Sequence, residues 1–91
     1  MKTTVVNKSL GVEFDVYIGR PSHFGNPYTV EAHGRDLCIE LFAQYFSARL
    51  ESDPEFKERV LALRGKTLGC FCKPLACHGD IIAEYLDGEQ Q

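Results

Sequence analysis

The chain has 91 residues, of which 44% are hydrophobic and 25% charged, and its net charge at pH 7 is −3. This length allows one domain with a small core, and this composition is typical of a folded globular protein rather than a disordered tail. The acidic excess excludes the basic character of a general nucleic-acid-binding protein. No apolar run approaches the roughly 18 residues that span a membrane, so we expect no membrane partner.

The first third of the chain predicts two strands and a long loop. Residues 3–7 form a β-like run, and alternation over residues 14–18 places Phe14, Val16 and Ile18 on one face of a second strand. Residues 8–11 are expected to make a hairpin-like connection between them. Two prolines and two glycines exclude regular structure over residues 19–27. Little order is expected over residues 28–34.

Three helices and a third strand are predicted in the remainder. Residues 36–50 read as a helix with an apolar face formed by Cys38, Phe42, Tyr45 and Phe46. A second helix follows, a strand is predicted over residues 66–72, and a last helix spans residues 78–86. The order β-β-α-α-β-α predicts an α/β or α+β fold. We expect a compact three-stranded mixed sheet with about three helices, in a single domain whose core covers about residues 3–88.

The start of the second helix has two possible signals. Ser52 with Glu55 fits a capping box, and Asp53 followed by Pro54 fits a capping residue before a proline at the first helical position. Both alternatives place the start of this helix between residues 52 and 55.

Three of the four cysteines lie with a histidine within nine residues. In an intracellular chain such clustering suggests metal binding or thiol chemistry. Alternate residues of a strand share a face, so Cys70 and Cys72 can face one ion, and the following loop can return Cys77 and His78 toward them. Three thiolates and an imidazole suit tetrahedral zinc, which makes zinc a candidate cofactor. Alternatively, the cysteines are small buried apolar side chains, which is the interpretation that suits Cys38.

The same segment has a second interpretation, as an anion site or a catalytic site. Cys77 or His78 precedes a helix whose first backbone N–H groups favour anions and lower the pKa of a nearby thiol. Cys77 is then a candidate nucleophile, with His78 or Asp80 moving protons. Asp80 also has a simpler role, a favourable interaction with the helix dipole. The sequence leaves open whether the protein is an enzyme.

The proline-glycine loop contains a second set of candidate ligand-binding residues, Arg20, Ser22, His23 and Asn26. The planar guanidinium of Arg20 suits a carboxylate or phosphate, and Ser22 and Asn26 can add hydrogen bonds. Alternatively, the segment is an ordinary turn in which Asn26 makes a local bond and Arg20 is solvated. If the second and third strands are adjacent and parallel, both motifs leave the same sheet edge, where open α/β sheets bind ligands.

Both motifs resemble a small domain of unknown function that occurs in bacteria and their phages. The match runs from about residue 5 to residue 86, and Phe71 stands where the family typically has tryptophan. The resemblance implies a free-standing domain of a kind that phages encode, and it implies no activity. It is carried by residues 5–7, 17–22, 24–27 and 65–72, by Pro74, and by residues 77–80.

Three functions of different classes follow from these observations. The first is an enzyme or sensor that binds or processes a nucleotide-like or phosphorylated ligand in a pocket lined by cysteine and histidine. The second is a zinc-stabilised module that binds a host protein or nucleic acid, although the overall charge disfavours nucleic acid. The third is a protein-binding domain without metal. The start of the chain lacks the apolar stretch of a signal peptide, so we expect a cytoplasmic protein, in the host cytoplasm if phage-encoded.

Overall fold

The computed structural model describes residues 2–20, 22–71 and 75–88. A single 3-10 turn, Lys8–Leu10, follows the first strand. Among the described residues, no helix has the length and apolar character needed to cross a membrane. The strands are β1 (Thr4–Asn7), β2 (Val16–Tyr17) and β3 (Thr67–Cys70), and the helices are α1 (Val30–His33), α2 (Arg35–Ser52), α3 (Pro54–Leu61) and α4 (His78–Gly88).

The three strands form one sheet in the order β1-β3-β2, and both pairings are parallel. Leu68 is the register position at the centre, paired with Val5 on one side and with Val16 on the other. The α/β or α+β prediction is confirmed, but the mixed sheet and the hairpin-like connection are wrong. Because β1 and β2 run in the same direction, residues 8–15 must carry the chain from the end of β1 back to the edge of the sheet where β1 began, so that β2 can start there.

The two faces of the sheet are covered differently. A Cβ atom placed on Gly69 would lie 2.8 Å from the nearest ring atoms of Phe14, so Phe14 covers the face toward which Gly69 points. Since Leu68 and Gly69 are consecutive in a strand, they face opposite sides. Phe14 therefore lies on the face opposite Leu68, and not with Val16 and Ile18 as the alternation predicted. Regular pairing is limited to two residues of β2, which explains why the alternation does not extend back to Phe14.

The helix boundaries follow from local capping. Asp53 accepts a hydrogen bond from the backbone N–H of Phe56, and Pro54 occupies the first turn of α3, so the second of the two predicted caps is confirmed. Helix α1 lies where little order was expected. It forms because the Thr29 side chain accepts from Ala32 N–H, and it ends at Gly34, whose φ of 79° suits glycine.

The core lies among the sheet and helices α2, α3 and α4, and its members are fully or almost fully buried. The apolar face predicted for α2 is present: its three buried residues are Cys38, Phe42 and Phe46. Phe42 and Phe46 belong to the main core cluster, which also contains Ile18 and Leu68 from the sheet region, Phe56 and Val60 from α3, and Cys77, Ile82 and Leu86 from the region of α4.

Helix α4 approaches the sheet closely at Gly79. A Cβ atom at this position would lie 2.7 Å from Ile18 Cδ1 and 2.9 Å from Val5 Cγ1, and Ile18 is fully buried. We expect Gly79→Ala to lower the free energy of unfolding by about 1–2 kcal/mol, since overpacking exceeds the gain in helix propensity. Gly88→Ala is the control, because a Cβ there meets nothing within 4 Å. Urea denaturation of both variants tests this, and equal stabilities would contradict the close approach.

Candidate functional site

A cleft of about 320 Å³ opens where β2 and β3 end. Both strands end at the same edge because they are parallel, so the segments that follow them form walls of the cleft. Arg20 and Asn26 line it from the loop after β2, and Cys70, Cys77 and His78 line it from the second motif. The structure therefore brings the two predicted motifs together, as the parallel arrangement of strands required.

Two of the predicted ligand-binding residues do not line this cleft. Ser22 lies in a turn, where its Oγ accepts a hydrogen bond from Phe24 N–H at 3.3 Å. His23 is exposed, with its ring edge-on to Phe24 at 6.5 Å between centroids. The His23 carbonyl accepts a hydrogen bond from Arg49 at 3.4 Å. These contacts shape the loop and leave Arg20 and Asn26 as its cleft-lining residues from the predicted set.

Asn26 fastens the loop to helix α2. Its Oδ1 accepts from Tyr28 N–H at 2.9 Å, and its Nδ2 lies 3.3 Å from the Cys38 carbonyl oxygen and 3.1 Å from Cys38 Sγ. The Cys38 thiol in turn donates to the Tyr28 carbonyl at 3.0 Å. Asn26 therefore lines the cleft chiefly as a positioning residue, since its amide already has protein partners.

Two arginines supply positive charge to the cleft. Arg20 is exposed, and within the described part of the chain its guanidinium has no hydrogen-bond or ion-pair partner. Its backbone is fixed by Tyr17, whose hydroxyl donates to the Arg20 carbonyl at 2.8 Å. The Arg20 side chain also passes closely over Gly25, where a Cβ would lie 2.9 Å from Arg20 Cγ. Glycine at position 25 thus makes room for this arginine.

The second arginine, Arg35, was not predicted. It is the first residue of α2, and its Nη1 donates to the Ala76 carbonyl at 2.9 Å, which links α2 to the segment before α4. A basic residue in the first turn of a helix is unfavourable toward the helix dipole. No sequence signal indicated this position, because the pattern predicted this helix only from residue 36 and left Arg35 in the preceding loop. Glu31 is the acidic residue that lines the cleft within the described ranges.

The thiols of Cys70 and Cys77 lie 3.3 Å apart, and each residue is only 2% exposed. Cys77 immediately precedes α4 and takes part in its cap. Its Sγ accepts from Gly79 N–H at 3.3 Å, and its own N–H donates to Asp80 Oδ2 at 3.1 Å. This reciprocal arrangement resembles a capping box, with cysteine in place of serine or threonine and with the second helical N–H as the donor to its side chain. Asp80, a predicted proton-transfer residue, is thus held at the start of the helix.

The environment of Cys77 raises the pKa of its thiol far above the ordinary value. The hydrogen bond with Cys70 is the largest cause, followed by burial, and the N–H of Gly79 opposes them. Cys77 is therefore a neutral thiol at physiological pH. A catalytic thiolate at Cys77, which the helix end was expected to favour, would have to overcome both effects.

His78 is 8% exposed and connects α4 to the end of β2. Its Nε2 lies 2.8 Å from the Ile18 carbonyl oxygen, which can only accept, so Nε2 carries the hydrogen. The ring packs edge-on against Phe42 with 5.1 Å between centroids. Burial lowers the pKa of His78, and hydrogen bonds to backbone groups of Ile18 and Phe24 oppose this. The histidine is thus neutral and fixed in orientation.

The predicted metal ligands are only partly brought together. Cys70 and Cys77 are adjacent, whereas Nε2 of His78 is engaged by Ile18. Cys72 lies outside the described residues. Over the ranges that the structure describes, no three or more His, Cys, Asp or Glu side chains are grouped to hold a metal ion. Zinc therefore stays a prediction from the sequence.

Comparison with known proteins gives a family and a phage relative. A family model described as "Domain of unknown function (DUF4326)" matches residues 4–88. The chain is similar to a protein of Enterobacteria phage T4, described as "Uncharacterized 12.4 kDa protein in nrdA-td intergenic region". The two are 45% identical over 83 residues, which cover 91% of this chain and 76% of the phage protein. No solved structure matches the chain.

Proposed function

The chain belongs to the DUF4326 family, as the resemblance predicted. Because the family's description assigns no activity, we propose a function from the geometry of the cleft. The domain binds a phosphorylated, nucleotide-like small molecule at the carboxyl edge of the sheet. The observation that carries this proposal is the meeting of Arg20 and Arg35 in one cleft with aromatic side chains.

The charge of the cleft supports an anionic ligand. Two guanidinium groups and one carboxylate line it, although the whole chain has a net charge of −3. Guanidinium groups bind phosphate through paired N–H donors, and Arg20 has its donors available to a ligand. Arg35 uses Nη1 on Ala76, which fixes the direction of its remaining donors.

The aromatic lining supports a base or another flat ring. Tyr17, Tyr28 and Phe71 all line the cleft. Tyr17 and Phe71 meet edge-on at 6.0 Å, and Lys8 Nζ lies 5.0 Å from the centroid of the Tyr17 ring. Aromatic side chains stack on any base, and a neighbouring lysine adds positive charge. The cleft volume lies near the lower end of the range of small-molecule sites, about 300–1,000 Å³.

Binding is favoured over covalent catalysis by the groups at the start of α4. Cys77 is neutral, His78 is fixed by Ile18, and Asp80 accepts from the Cys77 N–H. These contacts give each of the three predicted catalytic residues a positioning role. Asp80 is also absent from the residues that line the cleft, so its carboxylate is not placed to act on a ligand there.

We expect the chain to bind nucleoside monophosphates more tightly than the corresponding nucleosides in isothermal titration calorimetry. Arg20→Gln should weaken binding of the monophosphate by about tenfold or more, because it removes a charge-assisted contact to phosphate. Arg59→Gln is the matched control. Arg59 pairs with the exposed Glu55 at 2.7 Å on α3 and does not line the cleft.

The titration uses the 5′-monophosphates of adenosine, guanosine, cytidine and uridine, with inorganic phosphate alongside. Binding of phosphate alone would indicate an anion site without a base-binding part. Equal affinity for nucleosides and nucleotides, equal losses in both arginine variants, or no binding of any nucleotide would contradict the proposal.

A zinc-stabilised module that binds a host protein or nucleic acid is the second candidate. The closeness of the Cys70 and Cys77 thiols favours it, since both are ligand types that zinc prefers. Its test is the zinc content of untagged protein purified without chelator, followed by chelation. One zinc per chain and unfolding on metal removal would support it, and a stable metal-free chain would exclude structural zinc.

A further inference from the structure

We infer that Cys70 and Cys77 form a reversible dithiol site, which peroxide oxidises to an internal disulfide. Their sulfur atoms lie 3.3 Å apart, and both residues line the cleft although each is only 2% exposed. The two thiols come from different elements, since Cys70 ends β3 and Cys77 directly precedes α4. A bond between them would join a sheet strand to a helix at the cleft wall.

The geometry requires little movement. A disulfide needs about 2.05 Å between its sulfur atoms, so two sulfur atoms that lie 3.3 Å apart must approach by about 1.3 Å. Cys77 lies outside the helical residues of α4, so its side chain can turn without unwinding the helix. Both sulfur atoms already face each other in a hydrogen bond, so the approach continues along an existing contact.

Cys38 provides a comparison within the same cleft. It also lines the cleft and is 4% exposed, but its sulfur donates to the Tyr28 carbonyl and accepts from Asn26. Its partners are oxygen and nitrogen atoms instead of sulfur. Burial and position in the cleft are therefore shared by the three cysteines that the structure describes, and within these three the sulfur–sulfur contact joins Cys70 and Cys77.

The oxidation balances with hydrogen peroxide as the oxidant. Cys70 loses its proton, and the resulting thiolate accepts a hydrogen bond from the S–H of Cys77, whose raised pKa keeps it protonated. The thiolate attacks the O–O bond of peroxide, which gives a sulfenic acid and, after protonation, one water. The second thiol attacks the sulfenic sulfur, the S–S bond forms, and a second water leaves. Two thiols thus lose two hydrogen atoms, and one peroxide is reduced to two waters.

The consequence of this bond is a fixed connection between the end of β3 and the start of α4. The segment between them includes Ala76, whose carbonyl holds Arg35, and Phe71, which lines the cleft. Oxidation of the dithiol would therefore fix the end of β3 relative to the start of α4, and both of these lie in the wall of the cleft. Formation of the disulfide requires no bound nucleotide, so it can be measured on the ligand-free chain.

The test treats the full chain with hydrogen peroxide, blocks the remaining thiols with N-ethylmaleimide under denaturing conditions, and measures the mass. We expect two of the four thiols to resist labelling and the protein to lose two hydrogen atoms. Chymotrypsin can cut after Phe71 and Leu75, so the peptides that contain Cys70 and Cys77 should stay joined. Dithiothreitol should separate them and restore labelling of all four thiols.

Matched variants identify the pair. Cys38→Ser and Cys72→Ser should still form the bond, and Cys70→Ser and Cys77→Ser should not. Serine is a favoured N-cap residue, so Cys77→Ser keeps an acceptor at the start of α4. Peptide mapping of the unaltered chain decides the matter even if a variant fails to fold. A bond to Cys72, irreversible sulfinic acid at either member of the pair, or resistance of all four thiols would overturn the inference.

Discussion

Replacing Phe46 with alanine should lower the free energy of unfolding by about 3–5 kcal/mol, because it removes the ring at the junction of three helices. Phe46 is 2% exposed. Its ring lies 5.5 Å from that of Phe42 on α2, 5.9 Å from Phe56 on α3 and 5.6 Å from Tyr85 on α4, measured between centroids. The alanine variant would leave a cavity bordered by all three helices.

This loss is large for so small a domain, since domains are stable by only about 5–15 kcal/mol in total. Phe71→Ala is the control with the same change of side chain. Phe71 is 56% exposed, so its replacement should alter stability by no more than about 0.5 kcal/mol. Urea denaturation followed by circular dichroism measures both. Similar midpoints for the two variants would mean that the helices do not share Phe46 as their common contact.

His78→Ala should lower the free energy of unfolding by about 2–4 kcal/mol. The variant leaves the buried carbonyl of Ile18 without its donor and opens a cavity against Phe42. His23→Ala is the matched control, because His23 is exposed and should change stability by no more than about 0.5 kcal/mol. A chelator should leave the stability of the unaltered chain unchanged, because the contacts of His78 with Ile18 and Phe42 involve no metal. A fall in stability on chelation to the value of His78→Ala would contradict this.

The same histidine makes stability depend on pH. Burial lowers the pKa of His78 in the folded chain below the unfolded value of 6.5. Between these two values the unfolded chain binds more protons than the folded chain, so stability falls as pH decreases. The contribution is complete above pH 6.5 and is lost progressively below it. Denaturation between pH 8 and pH 5 should show this slope in the unaltered chain and a shallower one in His78→Ala. Parallel curves would contradict the assignment.

Local patterns were sufficient to predict most helices. The apolar spacing of Cys38, Phe42 and Phe46 predicted the buried face of α2, and Asp53 with Pro54 predicted the start of α3. These signals succeed because capping and periodicity act within a few residues. The mixed sheet and the hairpin-like connection between the first two strands were wrong for the opposite reason. The neighbour of both β1 and β2 is β3, which lies far along the chain, and no local pattern identifies a partner at that distance.

The part of the site that could be predicted is the meeting of the two motifs, because it depends only on β2 and β3 being adjacent and parallel. Parallel strands required that the loop with Arg20 and the segment with Cys77 leave the same edge, and they do. Arg35 reaches the cleft because of the way α2 packs, which spacing does not encode. His78 was predicted as a ligand or proton carrier. That role stays a prediction, and the structure adds a contact between the His78 ring and the Ile18 carbonyl that no sequence pattern indicates.

The order of the sheet also sets when this protein can fold during synthesis. The strand in the middle, β3, leaves the ribosome after both of its neighbours and after all of α2 and α3. Until residues 67–70 have emerged, the two outer strands have no central strand to pair with. The nascent chain can form its early helices but must keep β1 and β2 apart and unpaired. The sheet, and with it the edge that carries the cleft, is completed only as the last quarter of the chain appears.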